Sequence, residues 1–347
     1  MRILTVVGAR PQFVKAAAVS RALKATHGIE ELIVHTGQHF DANMSDIFFS
    51  ELEIPAPRYN LDIHGGRHGD MTGRMIMALE PVMLEAKPDI VLLYGDTNST
   101  LAGAIVAAKL KLPVAHVEAG VRMFDRGMPE EINRVLTDHI STWLFCPTRS
   151  AVGLLEREGI SRGVHFVGDV MYDATLFAIE RARTASPILE HTGLKSGHYA
   201  IATVHRAENT DDPQALAAIL AWLKTRAREH PVAFPIHPRT RKVIAASGFD
   251  TEGLMVMEPV GYFDMARMLD GAVAVYTDSG GLQKEAYFHR KPCVTLSPGT
   301  AWTETIEAGW NRLWREPEYR APRVEIPDYG TGDAAMKIAR IIGQAAR

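Results

Sequence analysis

The sequence has 347 residues, 46% of them apolar and 23% charged, which is enough chain for two domains with separate cores. Its formal net charge of −3 excludes the basic surface of a typical nucleic-acid-binding protein, and no apolar run approaches the ~18 residues of a membrane span. Cys146 and Cys293 lack metal-ligand spacing, so we expect buried thiols and no zinc site. The first residues lack the pattern of a signal peptide, so we expect a cytoplasmic protein.

Short apolar runs, each followed by a polar or glycine turn and a helical segment, recur through the first half of the chain. The predicted strands lie at residues 3–7, 31–36, 89–94, 112–117 and 143–146. This alternation is typical of an open parallel α/β sheet, which binds ligands at the carboxyl ends of its strands. The polar residues predicted at those ends are Arg10, Gln38, His39, Asp96 and Glu118.

The same alternation then starts again. Further strands are predicted at residues 164–167, 199–204, 231–236, 254–257, 273–276 and 293–296, the last taken as the final strand. We therefore predict an α/β fold with two Rossmann-like parallel-sheet domains facing a central cleft. The predicted domains are residues 1–168 and 169–332, and an amphipathic helix at 333–346 is expected to pack back on the first.

The segment from Val273 to Glu285 carries the pattern of a phosphate-binding strand, turn and helix. Ser279 can cap the helix, and Gly280 and Gly281 let a ligand approach the backbone. The free N–H groups at a helix start favour a phosphate, and Glu285, about one turn further along, can accept bonds from ribose hydroxyls. The alternative is an ordinary capped helix after a buried strand.

Seven motifs in order give the chain a resemblance along nearly its whole length. They are GARPQFVKAAAV, TGQH, YGDTNST, HVEAG, MPEEINR, HRAEN and TDSGGLQKEA. Together they are similar to the motifs of the non-hydrolysing UDP-N-acetylglucosamine 2-epimerases, which have the two-domain glycosyltransferase-B fold. The resemblance implies a UDP-sugar substrate and a homodimer, with no nucleic acid or membrane partner.

The resemblance marks Asp96, Glu118 and Glu130 as catalytic. Independently, Asp96 and Glu118 end adjacent predicted strands, so both should project into one crevice, where like charges favour general acid or base work. The alternative for Asp96 is a helix cap, and for Glu118 a salt bridge to Arg122. Glu131, the second glutamate of its motif, is expected to be the solvated one.

Further residues are assigned to the substrate by the same resemblance. Arg134, one helical turn after Glu130, is expected to steer it, and Arg10 to reach the nucleotide phosphates from the first domain. Lys15 is implied in the active site, although the residues alone predict a surface lysine. In the second domain the implied residues are His205, which would steady the departing UDP, then His237, Arg239, Ser279, Gly280, Gly281 and Glu285. Gln38 and His39 resemble a regulatory pocket for a second UDP-N-acetylglucosamine.

The implied reaction is elimination and re-addition. A carboxylate removes the C2 proton while UDP leaves C1, and a proton then returns to the opposite face of 2-acetamidoglucal before UDP re-adds. No nicotinamide or other cofactor is expected, because no G-x-G-x-x-G follows the first strand. A helix end and cations that stabilise the leaving group should contribute a large part of the rate.

The chain departs from the commonest family pattern in ways that leave the substrate open. The unusual residues are Ala207, Lys284, Ser297 and Ala301. The segment from His237 to Thr240, HPRT, resembles a subgroup that also includes epimerases of UDP-2,3-diacetamido sugar acids. A glycosyltransferase of the same fold and a non-catalytic nucleotide-sugar sensor are the alternatives from other classes.

Overall fold

The computed structural model describes residues 1–38, 49 and 51–345, which form two compact units. The first unit is Met1–Ala174 with the closing segment from Pro327, and the second is Thr175–Ile326. The division falls inside a helix, whereas the sequence placed the boundary at residue 168. Each unit contains one sheet whose strands are all parallel, and this confirms the predicted fold class of two parallel-sheet α/β domains.

The first unit is built on a seven-stranded sheet in the order β3-β2-β1-β4-β5-β6-β7. Its strands are β1 (Arg2–Val7), β2 (Glu30–His35), β3 (Tyr59–Asn60), β4 (Ile90–Tyr94), β5 (Val114–Val117), β6 (Trp143–Cys146) and β7 (Val164–Phe166). Its helices are α1 (Arg10–Lys24), α2 (His68–Ala86), α3 (Asn98–Lys109), α4 (Pro129–Ile140) and α5 (Arg149–Arg157), followed by α6 (Val170–Ala185), in which the division lies. The sequence missed β3 because two residues carry no strand periodicity.

Continuous apolar runs form the central strands of this sheet because helices cover both of its faces. All five residues of β4 are buried. Helix α3 lies so close to β4 that a Cβ on Gly103 would come within 2.8 Å of a Leu93 methyl group. The small side chains of α3 therefore let the helix pack close against β4, and Asp96 lies in the short turn that joins the two.

The second unit has a six-stranded sheet in the order β10-β9-β8-β11-β12-β13. Its strands are β8 (Ala200–Thr203), β9 (Val232–Pro235), β10 (Met255–Met257), β11 (Ala274–Thr277), β12 (Cys293–Thr295) and β13 (Asn311–Leu313). Its helices are α7 (Ile188–Thr192), α8 (Ala207–Thr210), α9 (Pro213–Ala227), α10 (Pro238–Ser247), α11 (Tyr262–Gly271), α12 (Gly280–Phe288) and α13 (Thr303–Glu307).

The expectation that the strand beginning at Cys293 is the last one was wrong, because β13 pairs with it in parallel. The short sequence NRL of β13 has no apolar run. Its buried Asn311 instead donates to Thr295 Oγ1 at 2.9 Å, so a side-chain hydrogen bond holds it beside β12.

The chain closes with a 3₁₀ turn (Pro327–Tyr329) and helix α14 (Ala334–Ala345), which packs on α1 through buried residues that include Ile338 and Ile342. Asp173 accepts hydrogen bonds from the N–H groups of Ala334 and Ala335 and so caps α14 from within the same unit. Among the described residues, no helix has both the length and the apolar character needed to cross a membrane.

Candidate functional site

Asp96 and Glu118 follow neighbouring strands, as the sequence predicted. Tyr94 of β4 lies opposite Val117 of β5 in a parallel register, and Gly95 N–H donates to the carbonyl of Val117 at 2.9 Å. The two carboxylate residues therefore leave the sheet at the same edge, which is where open parallel sheets bind ligands.

Glu118 is held in an unusual backbone conformation beside a buried cation. Its φ is +72°, in the left-handed region that side chains other than glycine rarely adopt, and such strain persists mainly at functional sites. Lys15 from α1 forms an ion pair with its carboxylate, and the two side chains are only 8% and 11% exposed. The prediction of a surface lysine was thus wrong, and the partner of Glu118 is Lys15 and not Arg122.

Asp96 forms an ion pair with Arg134 Nη2 at 2.5 Å. It does not cap α3, because Thr97 accepts the hydrogen bond from Thr100 N–H in that role. Arg134 also contacts Glu131 at 3.0 Å. Burial lowers the pKa of Arg134, but the two carboxylates outweigh this effect, so its pKa is raised and the guanidinium stays charged.

The two glutamates at the start of α4 have opposite surroundings. Glu131 is 3% exposed and accepts the backbone N–H groups of Met123 and Phe124 at 2.9 and 2.8 Å, so the expectation that it is solvated was wrong. The Glu130 side chain is half-buried and has no hydrogen bond or ion pair to any described residue. Arg134 therefore orients Asp96 and not Glu130.

The loop before α1 is fixed by Gln12, which the sequence analysis quoted without a role. Its Oε1 accepts from the N–H groups of Gly8 and Ala9, while its amide donates to the carbonyl of Tyr94 at 3.0 Å. A Cβ on Gly8 would lie 2.0 Å from Thr36 Oγ1, so only glycine fits there. This arrangement places Arg10, the first residue of α1, at the strand ends.

Gln38 forms hydrogen bonds with the start of α3. Its Oε1 accepts from Ser99 N–H at 3.1 Å and from Ser99 Oγ at 2.8 Å. His39, the other residue of the expected regulatory pocket, lies outside the described residues.

In the second unit, Ser279 caps α12 by accepting the N–H of Leu282 at 3.4 Å. A Cβ on Gly281 would meet nothing nearer than 3.9 Å, so open space adjoins the backbone at this helix start. Arg206, which the sequence analysis did not single out, brings its Nη2 within 3.8 Å of the position of a Gly280 Cβ. The helix end thus has free N–H groups and a neighbouring guanidinium, both of which favour a phosphate.

Asp278, just before this helix, binds the segment from His205 to Asn209, and the sequence did not indicate this role. It is fully buried and accepts from the N–H groups of His205 and Arg206 at 2.9 Å, and from Asn209 Nδ2 at 3.0 Å. Burial raises its pKa, but the hydrogen bonds and charge of His205 reverse the effect, so the pKa of Asp278 is lowered. His205 Nδ1 lies 3.1 Å from this carboxylate, which leaves Nε2 for a ligand.

The HPRT segment has structural roles of its own. His237 Nδ1 caps α10 by accepting Arg239 N–H at 3.2 Å, and its ring lies 5.6 Å from that of His205. Arg239 forms an ion pair with Asp211 at 2.5 Å on the surface. His237 therefore lies beside the candidate leaving-group histidine, whereas the charge of Arg239 is already matched by a carboxylate.

Glu285 on α12 lies between two buried residues in the sequence, Lys284 and His289. Lys284 is 1% exposed, and its Nζ lies 3.9 Å above the ring of Trp302, a cation–π contact. Glu285 is half-buried and lines a small pocket of the second unit together with Tyr262 and His289. His289 lies one turn after Glu285, and neither of its ring nitrogens has a hydrogen-bond partner in the described part of the chain.

His289 should make the stability of the protein depend on pH. Burial lowers the pKa of His289 to about 4, so the folded state binds its proton less readily than the unfolded state does. The neutral ring contributes its full share to the free energy of unfolding above pH 6.5, and this contribution is lost as the pH falls toward 4. The loss amounts to about 3 kcal/mol.

We expect His289→Leu to make the free energy of unfolding, measured in urea, less dependent on pH in this range. His191→Leu, a change at an exposed histidine, should leave the pH dependence unchanged. Parallel curves for wild type and His289→Leu would contradict the assignment.

Comparison with known proteins gives a consistent result. The model of the UDP-N-acetylglucosamine 2-epimerase family matches residues 21–343. UDP-2,3-diacetamido-2,3-dideoxy-D-glucuronate 2-epimerase of Pseudomonas aeruginosa is 49% identical, with 99% of this chain and 100% of the relative covered. The crystal structure of Methanocaldococcus jannaschii UDP-GlcNAc 2-epimerase in complex with UDP-GlcNAc and UDP is 40% identical, with a TM-score of 0.92 over 99% of this chain and 100% of that one.

A second solved structure, UDP-GlcNAc 2-epimerase from Neisseria meningitidis bound to UDP-GlcNAc, is 28% identical with a TM-score of 0.90 and covers 99% of this chain and 100% of that one. The family model and these full-length matches agree with the observed fold of two parallel-sheet α/β units. The chain therefore belongs to the UDP-N-acetylglucosamine 2-epimerase family.

Proposed function

We propose that this protein interconverts UDP-N-acetylglucosamine and UDP-N-acetylmannosamine by elimination of UDP and re-addition. The observation that carries the proposal is the paired arrangement at one sheet edge, Lys15 with Glu118 and Arg134 with Asp96. Each cation holds its carboxylate in place by an ion pair, as a positioned group that accepts a proton from carbon requires. Glu130 supplies a third carboxylate, whose side chain has no fixed partner among the described residues, and it is suited to the second proton transfer.

In the first half-reaction, one carboxylate takes the C2 proton, the C2–H electrons form the C1–C2 double bond, and the C1–O bond breaks with its electrons going to UDP. In the second half-reaction, a protonated carboxyl group gives a proton to the other face of C2, and UDP re-forms its bond to C1. A C2 proton is weakly acidic, so departure of UDP must accompany or lead its loss. Stabilisation of the leaving diphosphate is accordingly a large part of catalysis.

The second unit supplies the groups for that diphosphate. The start of α12, from Ser279 to Gly281, offers backbone N–H groups, and Arg206 offers a guanidinium beside them. His205, held by Asp278 through Nδ1, presents Nε2 to the developing negative charge. Arg10 lies at the start of α1 in the first unit, and its role at the diphosphate stays a prediction from the family resemblance.

A second substrate is favoured by one specific comparison. The relative from Pseudomonas aeruginosa is named for UDP-2,3-diacetamido-2,3-dideoxy-D-glucuronate and is 49% identical over nearly the full length of both chains. The same elimination and re-addition at C2 applies to that sugar, because the reacting atoms C1 and C2 bear the same groups. The alternative is therefore an epimerase of this diacetamido uronic acid.

Incubation of the protein in deuterium oxide with each UDP-sugar alone tests both candidate substrates. We expect a C2-epimerised product carrying deuterium at C2, because the base exchanges its proton with solvent before the opposite face is protonated. The preferred substrate is the one with the higher kcat/KM. A product that appears only when a sugar acceptor is added would instead support a glycosyltransferase, and binding without turnover would support a sensor.

Glu285 is proposed to bind the ribose of UDP. Glu285→Ala should weaken UDP binding by about 1–3 kcal/mol, the range for losing hydrogen bonds to a charged group. Isothermal titration calorimetry measures this change, with Glu304→Ala as a control for loss of a carboxylate elsewhere in the same unit. Unchanged UDP affinity in Glu285→Ala would exclude the ribose role.

We further propose that a second UDP-N-acetylglucosamine regulates the enzyme at the TGQH segment. The support is that the crystal structure of Methanocaldococcus jannaschii UDP-GlcNAc 2-epimerase contains both UDP-GlcNAc and UDP. Sigmoidal dependence on UDP-N-acetylglucosamine and poor conversion of the manno isomer supplied alone are the expected kinetics. Hyperbolic kinetics both for UDP-N-acetylglucosamine and for the manno isomer would contradict the proposed regulation.

We also propose a cytoplasmic homodimer. Nucleotide-sugar chemistry and two free buried cysteines support the compartment. Ile132, Leu136 and Ile140 support the dimer, because their spacing places them on one face of α4 and they are 47%, 46% and 38% exposed.

Leu136→Lys should therefore lower the mass measured by light scattering from two chains to one. Met336→Lys, a change at an exposed apolar residue of α14, should leave the dimer intact. A monomeric wild-type protein would refute the proposal.

A further inference from the structure

A buried carboxylate on α4 connects the two strand ends that carry Asp96 and Glu118. Asp138 Oδ1 lies 2.7 Å from His116 Nδ1, and Asp138 Oδ2 accepts the N–H of Gly120 at 3.0 Å. The other ring nitrogen of His116 lies 2.7 Å from the carbonyl of Gly95. The side chains of Asp138 and His116 are both completely buried.

Both hydrogen-bond partners of His116 are acceptors. The carbonyl of Gly95 and the carboxylate of Asp138 can each accept a hydrogen bond from a proton-bearing ring nitrogen, and a ring that donates to both is an imidazolium. Arg122 also contacts Asp138 at 2.7 Å and the partly exposed Glu158 at 2.8 Å. The pKa of Asp138 is lowered because the charges of His116 and Arg122 overcome the effect of burial.

Both bonded backbone groups lie next to residues assigned to the reaction. Gly95 immediately precedes Asp96, and Gly120 follows Glu118 by two positions on the turn in which Glu118 has its left-handed φ of +72°. Relaxation of this turn would carry the Glu118 side chain away from Lys15. The cluster therefore holds a strained conformation that the local sequence does not favour.

We propose that Asp138 is a positioning residue for both carboxylates, which sets Asp96 through the His116 imidazolium and Gly95, and sets Glu118 through Gly120. This inference rests on the proposed epimerase function and extends it to a part of α4 that cannot touch substrate. A misplacement of ~1 Å at a reacting group can cost ~100-fold in rate, so the bonds of Asp138 matter to kcat more than to binding.

The first test is nitrogen-15 NMR of the wild-type protein with labelled histidine. We expect His116 to show two protonated ring nitrogens at the pH at which the enzyme is active, and a neutral ring with one protonated nitrogen would overturn the imidazolium assignment. This readout needs no turnover. A failure of the wild type to epimerise any UDP-sugar is thus a separate result, which refutes the proposed function.

The second test compares Asp138→Asn with Glu158→Gln, which removes the other carboxylate partner of Arg122 but no bond to His116 or Gly120. We expect Asp138→Asn to lower kcat by ~100-fold with unchanged UDP affinity, and Glu158→Gln to keep kcat within a few-fold of wild type. Equal effects of the two variants, or a folded Asp138→Asn with wild-type kcat, would overturn the proposal.

If Asp138→Asn does not fold, His116→Gln decides, because it keeps the Asp138–Arg122 ion pair and removes the link to Gly95. The expected result is again a lower kcat with unchanged UDP affinity. A wild-type kcat in His116→Gln would overturn the part of the proposal that concerns Asp96.

Discussion

Replacement of Asp96, Glu118 or Glu130 by the corresponding amide is expected to lower kcat by ~100–10,000-fold, the usual contribution of a general acid or base. The amide keeps the shape of each side chain but cannot take up or release the proton at C2. Asp96→Asn and Glu118→Gln also lose the charge that faces Arg134 or Lys15. Glu130→Gln loses no ion pair with a residue that the structure describes, so its effect should be confined to the chemical step.

Leakage of an intermediate distinguishes lost chemistry from lost folding. Elimination and re-addition use the carboxylates in opposite protonation states, so at least one amide variant should release free UDP and 2-acetamidoglucal. A misfolded variant loses activity without releasing either. Chromatography of the reaction mixture and deuterium content at C2 are the measurements.

Asp89→Asn is the matched control, because Asp89 precedes the same strand β4 at its opposite end and binds Arg2 N–H at 2.7 Å. It should retain full activity. Normal turnover in all three catalytic variants, or a product without C2 deuterium, would remove these carboxylates from the mechanism.

The strand ends of the site could be predicted from the sequence because they depend only on local pattern. Continuous apolar runs predict buried parallel strands, and residues after two such runs must meet at one sheet edge when the strands are neighbours. Asp96 and Glu118 were identified in this way, and the register of β4 with β5 confirms that they follow adjacent strands. Ser279 was identified similarly, from a cap residue between a strand and a helix.

The partners of these residues could not be predicted, because each depends on a contact between segments far apart in the chain. Helical spacing alone does not show that Lys15 is buried against Glu118. It does not separate Glu130 from Glu131 either, because the role of Glu131 is set by two backbone N–H groups of the loop at 123–124. Asp278 looked like a turn residue, and only the tertiary fold brings the HRAEN segment onto it.

Loss of the Lys15 charge should strongly lower both the stability of the protein and its kcat. Lys15→Met keeps most of the side-chain volume but removes the cation that is paired with the buried carboxylate of Glu118. Removing one partner of a buried ion pair typically costs about 3–5 kcal/mol, because the remaining charge is uncompensated. We therefore expect a lower midpoint in urea unfolding and a fall in kcat, since the ion pair that positions the carboxylate of Glu118 is lost.

A double-mutant cycle separates the two consequences of this change. Lys15→Met with Glu118→Gln removes both charges, so most of the stability lost in Lys15→Met alone should return, whereas activity should stay as low as in Glu118→Gln. Lys24→Met, at the end of the same helix and exposed, is the control and should change neither quantity. Strictly additive losses of stability in the double variant would show that the two charges do not interact.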